Sequence, residues 1–144
     1  MINVPPTNPL DPYDGKPDLK VAEDAIGMAN RFLNSVQVCD KGIREAEQQD
    51  IDSKNFEHPM YHMYISRTKS DIRRYSKYLR DLQTSLIYRL GEAEREADAD
   101  EVLDKLLEQP NQFNRYYFYC EEFRDVGEYF TRLGNKLKAR ANHP

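Results

Sequence analysis

Tryptophan is absent from this 144-residue chain, cysteine occurs only twice and histidine three times. Two cysteines exclude a disulfide-stapled scaffold and a four-cysteine zinc site. No stretch approaches the roughly 18 uninterrupted apolar residues of a membrane-spanning helix. The opening Met1-Ile2-Asn3-Val4-Pro5-Pro6 lacks the basic region and apolar core of a secretory signal. There is no phosphate-cradling glycine loop, no dinucleotide fingerprint and no Ser/His/Asp constellation. These absences give the expectation of a reduced, cytoplasmic protein that is not an enzyme, carries no cofactor and has no membrane partner.

What the chain does have is charge, tyrosine and helical periodicity. Charged residues make up 32% and apolar residues 39%, with a mean hydropathy of −0.88. That is polar for a globular chain, yet ten tyrosines and six phenylalanines are too many for a chain disordered throughout.

Proline divides the sequence. Pro5, Pro6, Pro9, Pro12 and Pro17 crowd the first 17 residues, where a helix is excluded and extended backbone is favoured. Residues 1–17 are therefore read as an extended arm, with Val4, Leu10 and Tyr13 as anchors that dock it on a partner. Pro59, Pro110 and Pro144 fall between or beyond the periodic segments.

Three segments keep a strict 3-4 apolar spacing. The first runs Leu19, Ala22, Ile26, Ala29, Leu33, Val36, Asp40, Ile43, with Asp18 as its expected N-cap. The second runs Tyr61, Ile65, Thr68, Ile72, Tyr75, Leu79, Leu82, Leu86, Arg89, Ala93; taken as residues 59–96 it spans about 57 Å. The third runs Phe113, Tyr116, Cys120, Phe123, Gly127, Phe130, Gly134, Leu137, Ala141, with Asn111 able to cap it. A short helix over residues 101–108 lies between the last two, capped by Asp98 or Asp100. Apolar flanking positions such as Val21, Phe32, Val38, Tyr64, Tyr78, Ile87, Tyr117 and Leu133 widen each face beyond a two-helix seam. The expected fold is all-α: an elongated, antiparallel, coiled-coil-like three-helix bundle over residues 18–144, with a short fourth helix and the Pro-rich arm.

Few residues offer chemistry. Cys39 and Cys120 lie on or beside apolar stripes and read as core. His58 and His62 are four apart, and His143 could return to them in an antiparallel fold, but the supporting carboxylates of a bundle metal site are missing. No metal site is expected. The acidic run Glu92, Glu94, Glu96, Asp98, Asp100, Glu101 reads as a solvated helix end and loop. Gly127 and Gly134, seven apart on the third stripe, read in two ways. One is close backbone approach to a neighbouring helix, or a bend where a partner packs. The other, preferred from sequence, is room for large aromatics on facing helices.

The net charge of −4 conceals a basic block. Residues 67–80 contain Arg67, Lys69, Arg73, Arg74, Lys77 and Arg80 against Asp71 alone. The tail adds Arg132, Lys136, Lys138 and Arg140, with no acid after Glu128. If the second and third long helices run antiparallel, block and tail converge on one half of the molecule. Arg67, Lys69, Arg73, Arg74, Lys77, Arg80, Lys136, Lys138 and Arg140 would then form a face for nucleic acid or an acidic partner. The competing expectation pairs the block with Glu45, Glu47, Asp50, Asp52 and Glu57 at the end of the first helix. The leading functional reading is a non-enzymatic interaction protein, self-associating or joined to other proteins in an assembly. The second is a nucleic-acid-binding accessory protein.

Overall fold

The computed structural model describes residues 10–48, 67–108 and 120–142. Val4, His58, His62, Tyr61, Tyr64, Ile65, Asn111, Phe113, Tyr116, Tyr117 and His143 lie outside them, as do the side chains of Cys39, Ile43, Glu47, Arg67, Thr68, Lys69, Ile72 and Cys120. Four α-helices account for most of the described chain: α1, Asp18–Gln48; α2, Arg67–Leu90; α3, Ala97–Glu108; and α4, Cys120–Asn142. A single 3-10 turn, Glu92–Glu94, joins α2 to α3. No strand occurs among the described residues, and no helix there is long and apolar enough to cross a membrane.

The entry into α1 is built from turns rather than extended backbone. Asp14 donates its N–H to the Asp11 carbonyl, and Lys16 donates to that of Tyr13. Pro12 stands second in the first turn, where its fixed φ fits, and Gly15, third in the next, has φ +86°, the sign a type II turn demands there. The Pro17 carbonyl accepts the first helical bonds, from Lys20 and Val21. Asp18 is thus the first helical residue rather than the expected cap, and its carboxylate is free to act elsewhere.

The second helix ends earlier than its periodicity predicts. Arg89 and Ala93 are in phase with the stripe, but Gly91 has φ +121°. A side chain resists that conformation and glycine does not, so the helix stops at Leu90 and the chain reverses. The reversal changes the topology. Arg89 at the end of α2 meets Asp18 at the start of α1, so these two helices are antiparallel. Gly134 and Gly127 of α4 face Ile26 and Leu33 of α1, again in opposite order. Contacts from Lys136 to Glu94 and Arg132 to Glu96, and a cleft bringing Asp98 and Val102 to Asp125 and Glu122, run α3 antiparallel to α4. The short helix is therefore a full return leg, giving an up-down-up-down order. Consequently α2 and α4 are parallel, and the expected antiparallel relation between the two does not hold.

The core draws on all four helices. Ala22, Ala29, Phe32 and Val36 from α1 meet Leu79, Leu82 and Leu86 from α2, Leu103 and Leu106 from α3, and Phe123, Phe130, Leu133 and Leu137 from α4. Phe32 and Phe123 pack edge to face with centroids 6.2 Å apart, a geometry that adds to simple burial. Leu19, on the first stripe by spacing, is exposed instead, while Val21 and Ala22 beside it are fully buried.

Gly127 and Gly134 accommodate α1 itself, not aromatic rings. A Cβ at Gly134 would stand 2.6 Å from Ile26 Cγ1 and 3.1 Å from the Ala22 carbonyl oxygen. At Gly127 it would stand 2.5 Å from Leu33 Cγ and Cδ2. Leu33 is only half-buried and can swing away, whereas the Ala22 carbonyl is main chain and moves only with the helix. Alanine gains about 1 kcal/mol of helix propensity over glycine, and overpacking costs about 1–3 kcal/mol. Gly134→Ala should therefore destabilise by about 1–2 kcal/mol in urea unfolding, with Gly127→Ala close to neutral. Equal losses for the two variants would refute this account of the α1–α4 contact.

Candidate interaction surface

The nine cations singled out by sequence do not form one face. Arg67 and Lys69 occupy the first turn of α2. Arg73 and Lys77 follow, both exposed and with no ionic partner among the described residues. Arg74 bonds Asp71 at 3.0 Å and lies over the Tyr75 ring at 5.2 Å. Arg80 turns toward α3, where it reaches Asp100 Oδ1 at 3.3 Å, the Asp100 carbonyl at 3.2 Å, and the Asp104 carboxylate. The tail lies elsewhere. Lys136 bonds Glu94 at 2.6 Å, and Arg140 donates to the Arg89 carbonyl at the far end of α2, also at 2.6 Å. Lys138 is exposed, without a partner among the described residues. The parallel course of α2 and α4 carries the tail to the opposite end from the basic block, so the two do not converge.

The acidic run supplies the counter-charges. Glu94 and Glu96 hold Lys136 and Arg132, while Asp100 holds Arg80 and Arg95. Glu94, Glu96 and Asp100 turn toward α2 and α4 because the chain reverses at Gly91, whereas Glu92, Asp98 and Glu101 are exposed. Glu45, at the acidic end of the first helix, lies 3.9 Å from Lys41. The Glu47 side chain and Asp50, Asp52 and Glu57, the other expected counter-charges of the basic block, lie outside the described residues. Asp40, the polar break in the first stripe, pairs with Arg124 of α4 at 2.8 Å.

Behind the acidic run is a buried polar group. Gln83 donates to Asp100 at 2.6 Å and to the Tyr129 hydroxyl at 3.4 Å, and that hydroxyl donates to the Glu94 carbonyl at 2.8 Å. Buried amide and phenol are thus both satisfied. Burial holds the Tyr129 phenol above its usual pKa; Asp100 and Glu96 add to the rise, and the Gln83 hydrogen bond opposes it.

At the other end Arg89 joins three segments of chain. Its Nε donates to Asp11 at 3.2 Å and Ser85 Oγ at 3.1 Å. One terminal nitrogen donates to Asp18 at 2.6 Å and the Lys16 carbonyl at 2.9 Å, and the other to the Tyr13 carbonyl at 2.9 Å. The Asp11 side chain is 3% exposed and also accepts the Tyr13 N–H at 2.8 Å. Tyr13 itself packs against the core, while Leu10 is 71% exposed. The sequence did carry a signal for this clamp: an arginine in phase with an apolar stripe, and an Asp-Pro-Tyr-Asp-Gly turn before the first helix.

Between α3 and α4 lies a cleft of about 360 Å³ lined by Glu96, Asp98, Glu101, Glu122, Asp125, Glu128 and Arg132 together with small apolar residues. Among the described residues no group of His, Cys, Asp or Glu could hold a metal ion. Comparison with known protein families, with curated proteins and with solved structures finds no match.

Removing the clamp leaves two carboxylates and three chain segments without their donor. Breaking a buried ion pair from one side costs about 3–5 kcal/mol; for this slightly exposed group the expected loss for Arg89→Ala is about 2–4 kcal/mol. Arg89→Lys should recover only part, because an ammonium cannot reproduce the guanidinium fork. Thermal unfolding followed by circular dichroism measures both. Full stability in Arg89→Lys would show that charge alone suffices there.

Proposed function

We propose that this chain is a non-enzymatic helical interaction protein, working as a subunit of a homo-oligomer or larger assembly in a reduced, cytoplasmic setting. One observation carries the reading. Charged groups that reach between elements, Arg80, Arg89, Arg124, Arg132, Lys136 and Arg140, are occupied in holding one segment against another. Several large apolar or aromatic side chains are left outside: Tyr88 at 57% exposure, Tyr78 at 47% and Val38 at 43%, with Leu10 on the entry segment. Tyrosine is enriched at protein–protein interfaces, where its ring is buried and its hydroxyl satisfied. Of the expected arm anchors, Leu10 is exposed, Tyr13 packs against its own core, and Val4 lies outside the described residues.

The nucleic-acid reading draws support from Arg73 and Lys77, which stand exposed near Tyr78 on α2. It loses the contributions of Arg80, Lys136 and Arg140, and a sequence pI near 5.4 sets it against the basic balance usual for such modules. Sedimentation equilibrium over a wide concentration range tests the assembly reading. The full-length protein should exceed its 17.0 kDa monomer mass as concentration rises, or retain a protein partner through purification. A monomer at every concentration that co-purifies with nothing would overturn it.

A further inference from the structure

Among the described residues two sets of charges have no ion-pair partner between elements, and they are of opposite sign. On α2, Arg73 and Lys77 are exposed with no ionic partner among the described residues, and Arg74 beside them is held by Asp71 and Tyr75 of its own helix. In the α3–α4 cleft, Glu96 and Glu101 have Arg132 and Lys105, but Asp98, Glu122, Asp125 and Glu128 are exposed and have no cation among the described residues. Each set repels itself. Among the described residues neither set relieves the other within one molecule: Arg80 is the cation of α2 that bridges to α3, through Asp100 and Asp104, and Arg73 and Lys77 form no ion pair there.

We propose that the basic outer face of α2 docks into the acidic α3–α4 cleft of a second copy of this chain. The inference rests on the assembly reading above and specifies its interface. Charge complementarity carries it, and the spacing agrees. Arg73 and Lys77 are separated by about 6 Å along their helix, and Glu122 and Asp125 by about 4.5 Å along theirs, so the side chains can pair one to one. Tyr78 adds an exposed ring at the edge of the basic face. The two surfaces differ, so the contact is heterologous: the pair keeps one free face of each kind, and the assembly grows until a ring closes or a filament forms. Ion pairs at an accessible interface are screened by salt, so association belongs to low ionic strength.

The test uses two full-length variants that neutralise charge without reversing it. One carries Arg73→Ser, Arg74→Ser and Lys77→Ser; the other carries Glu122→Gln, Asp125→Asn and Glu128→Gln. All six positions lie off the core, and circular dichroism should show wild-type helix content in both. In sedimentation velocity at about 20 mM salt the wild type should associate, and moving to about 300 mM should weaken it by at least about tenfold. Each variant alone should be at least about tenfold weaker than wild type. An equimolar mixture should form a 1:1 complex that grows no further, since one variant supplies the intact cleft and the other the intact α2 face. The proposal is overturned if the mixture associates no better than its components, if either variant assembles like the wild type, or if salt has no effect. A wild type that stays monomeric at low salt but retains a different protein partner defeats the proposal while leaving the assembly reading standing. Binding of a labelled single strand, lost only in the arginine–lysine variant, would assign the α2 face to nucleic acid and likewise overturn it.

Discussion

The guanidinium of Arg89 is the point at which the described fold is tied together. An arginine so nearly removed from water is costly unless its charge is balanced and its donors are occupied. Here Asp11 and Asp18 balance the charge, and the carbonyls of Tyr13 and Lys16 with Ser85 Oγ complete the donor set. Those partners come from the entry turns, the first turn of α1 and the last turn of α2. Because Arg140 donates to the Arg89 carbonyl, the end of α4 joins the same cluster. One side chain thus sets the register of three helices at one end, and the entry segment serves as part of the body rather than as a free strap.

The reversal at Gly91 decides how charge is distributed over the rest. It folds residues 92–100 back so that Glu94, Glu96 and Asp100 take up cations from α2 and α4 across the seam. Pairs of this kind contribute modestly when exposed, but Arg80 with Asp100 is mostly shielded and linked through Gln83 to the buried Tyr129. That link orients α3 against both of its neighbours. The reversal also takes up Arg80 and Lys136, two of the nine cations that the charge pattern suggests for a ligand, and leaves Arg73, Arg74 and Lys77 exposed on α2 and the α3–α4 cleft acidic.

The all-helical class and most core positions were legible in the sequence, because a 3.6-residue period survives in any register: Leu79, Leu82 and Leu86, or Phe123, Phe130 and Leu137, fall on their stripes whatever the partner. Chain direction was not legible. Gly91 lies off the apolar stripe, so Arg89 and Ala93 keep the period running across a break that depends on a positive φ. A continuous helix made the short segment at residues 101–108 a connector, and the tail was then placed beside the wrong end of α2. The clamp was half legible: Arg89 stood out on the stripe, but its partners are more than seventy residues away, beyond the reach of any local pattern. Gly127 and Gly134 showed their importance by spacing alone, yet spacing could not say that the side opposite them was the backbone and aliphatic side chains of α1.

The separation of block and tail rests on α2 and α4 running parallel, which distances between spin labels measure directly. With Cys39 and Cys120 replaced by serine, labels would be placed at Lys138 paired with Tyr88, and at Lys138 paired with Arg73, all exposed positions. Parallel helices put Tyr88 beside the tail and leave Arg73 farther away by about 20 Å, the rise of the fifteen intervening residues. Double electron–electron resonance should therefore give a short distance for the first pair and a long one for the second. The reverse order would show the helices to be antiparallel, returning the tail to the basic block and contradicting the charge distribution on which the account depends.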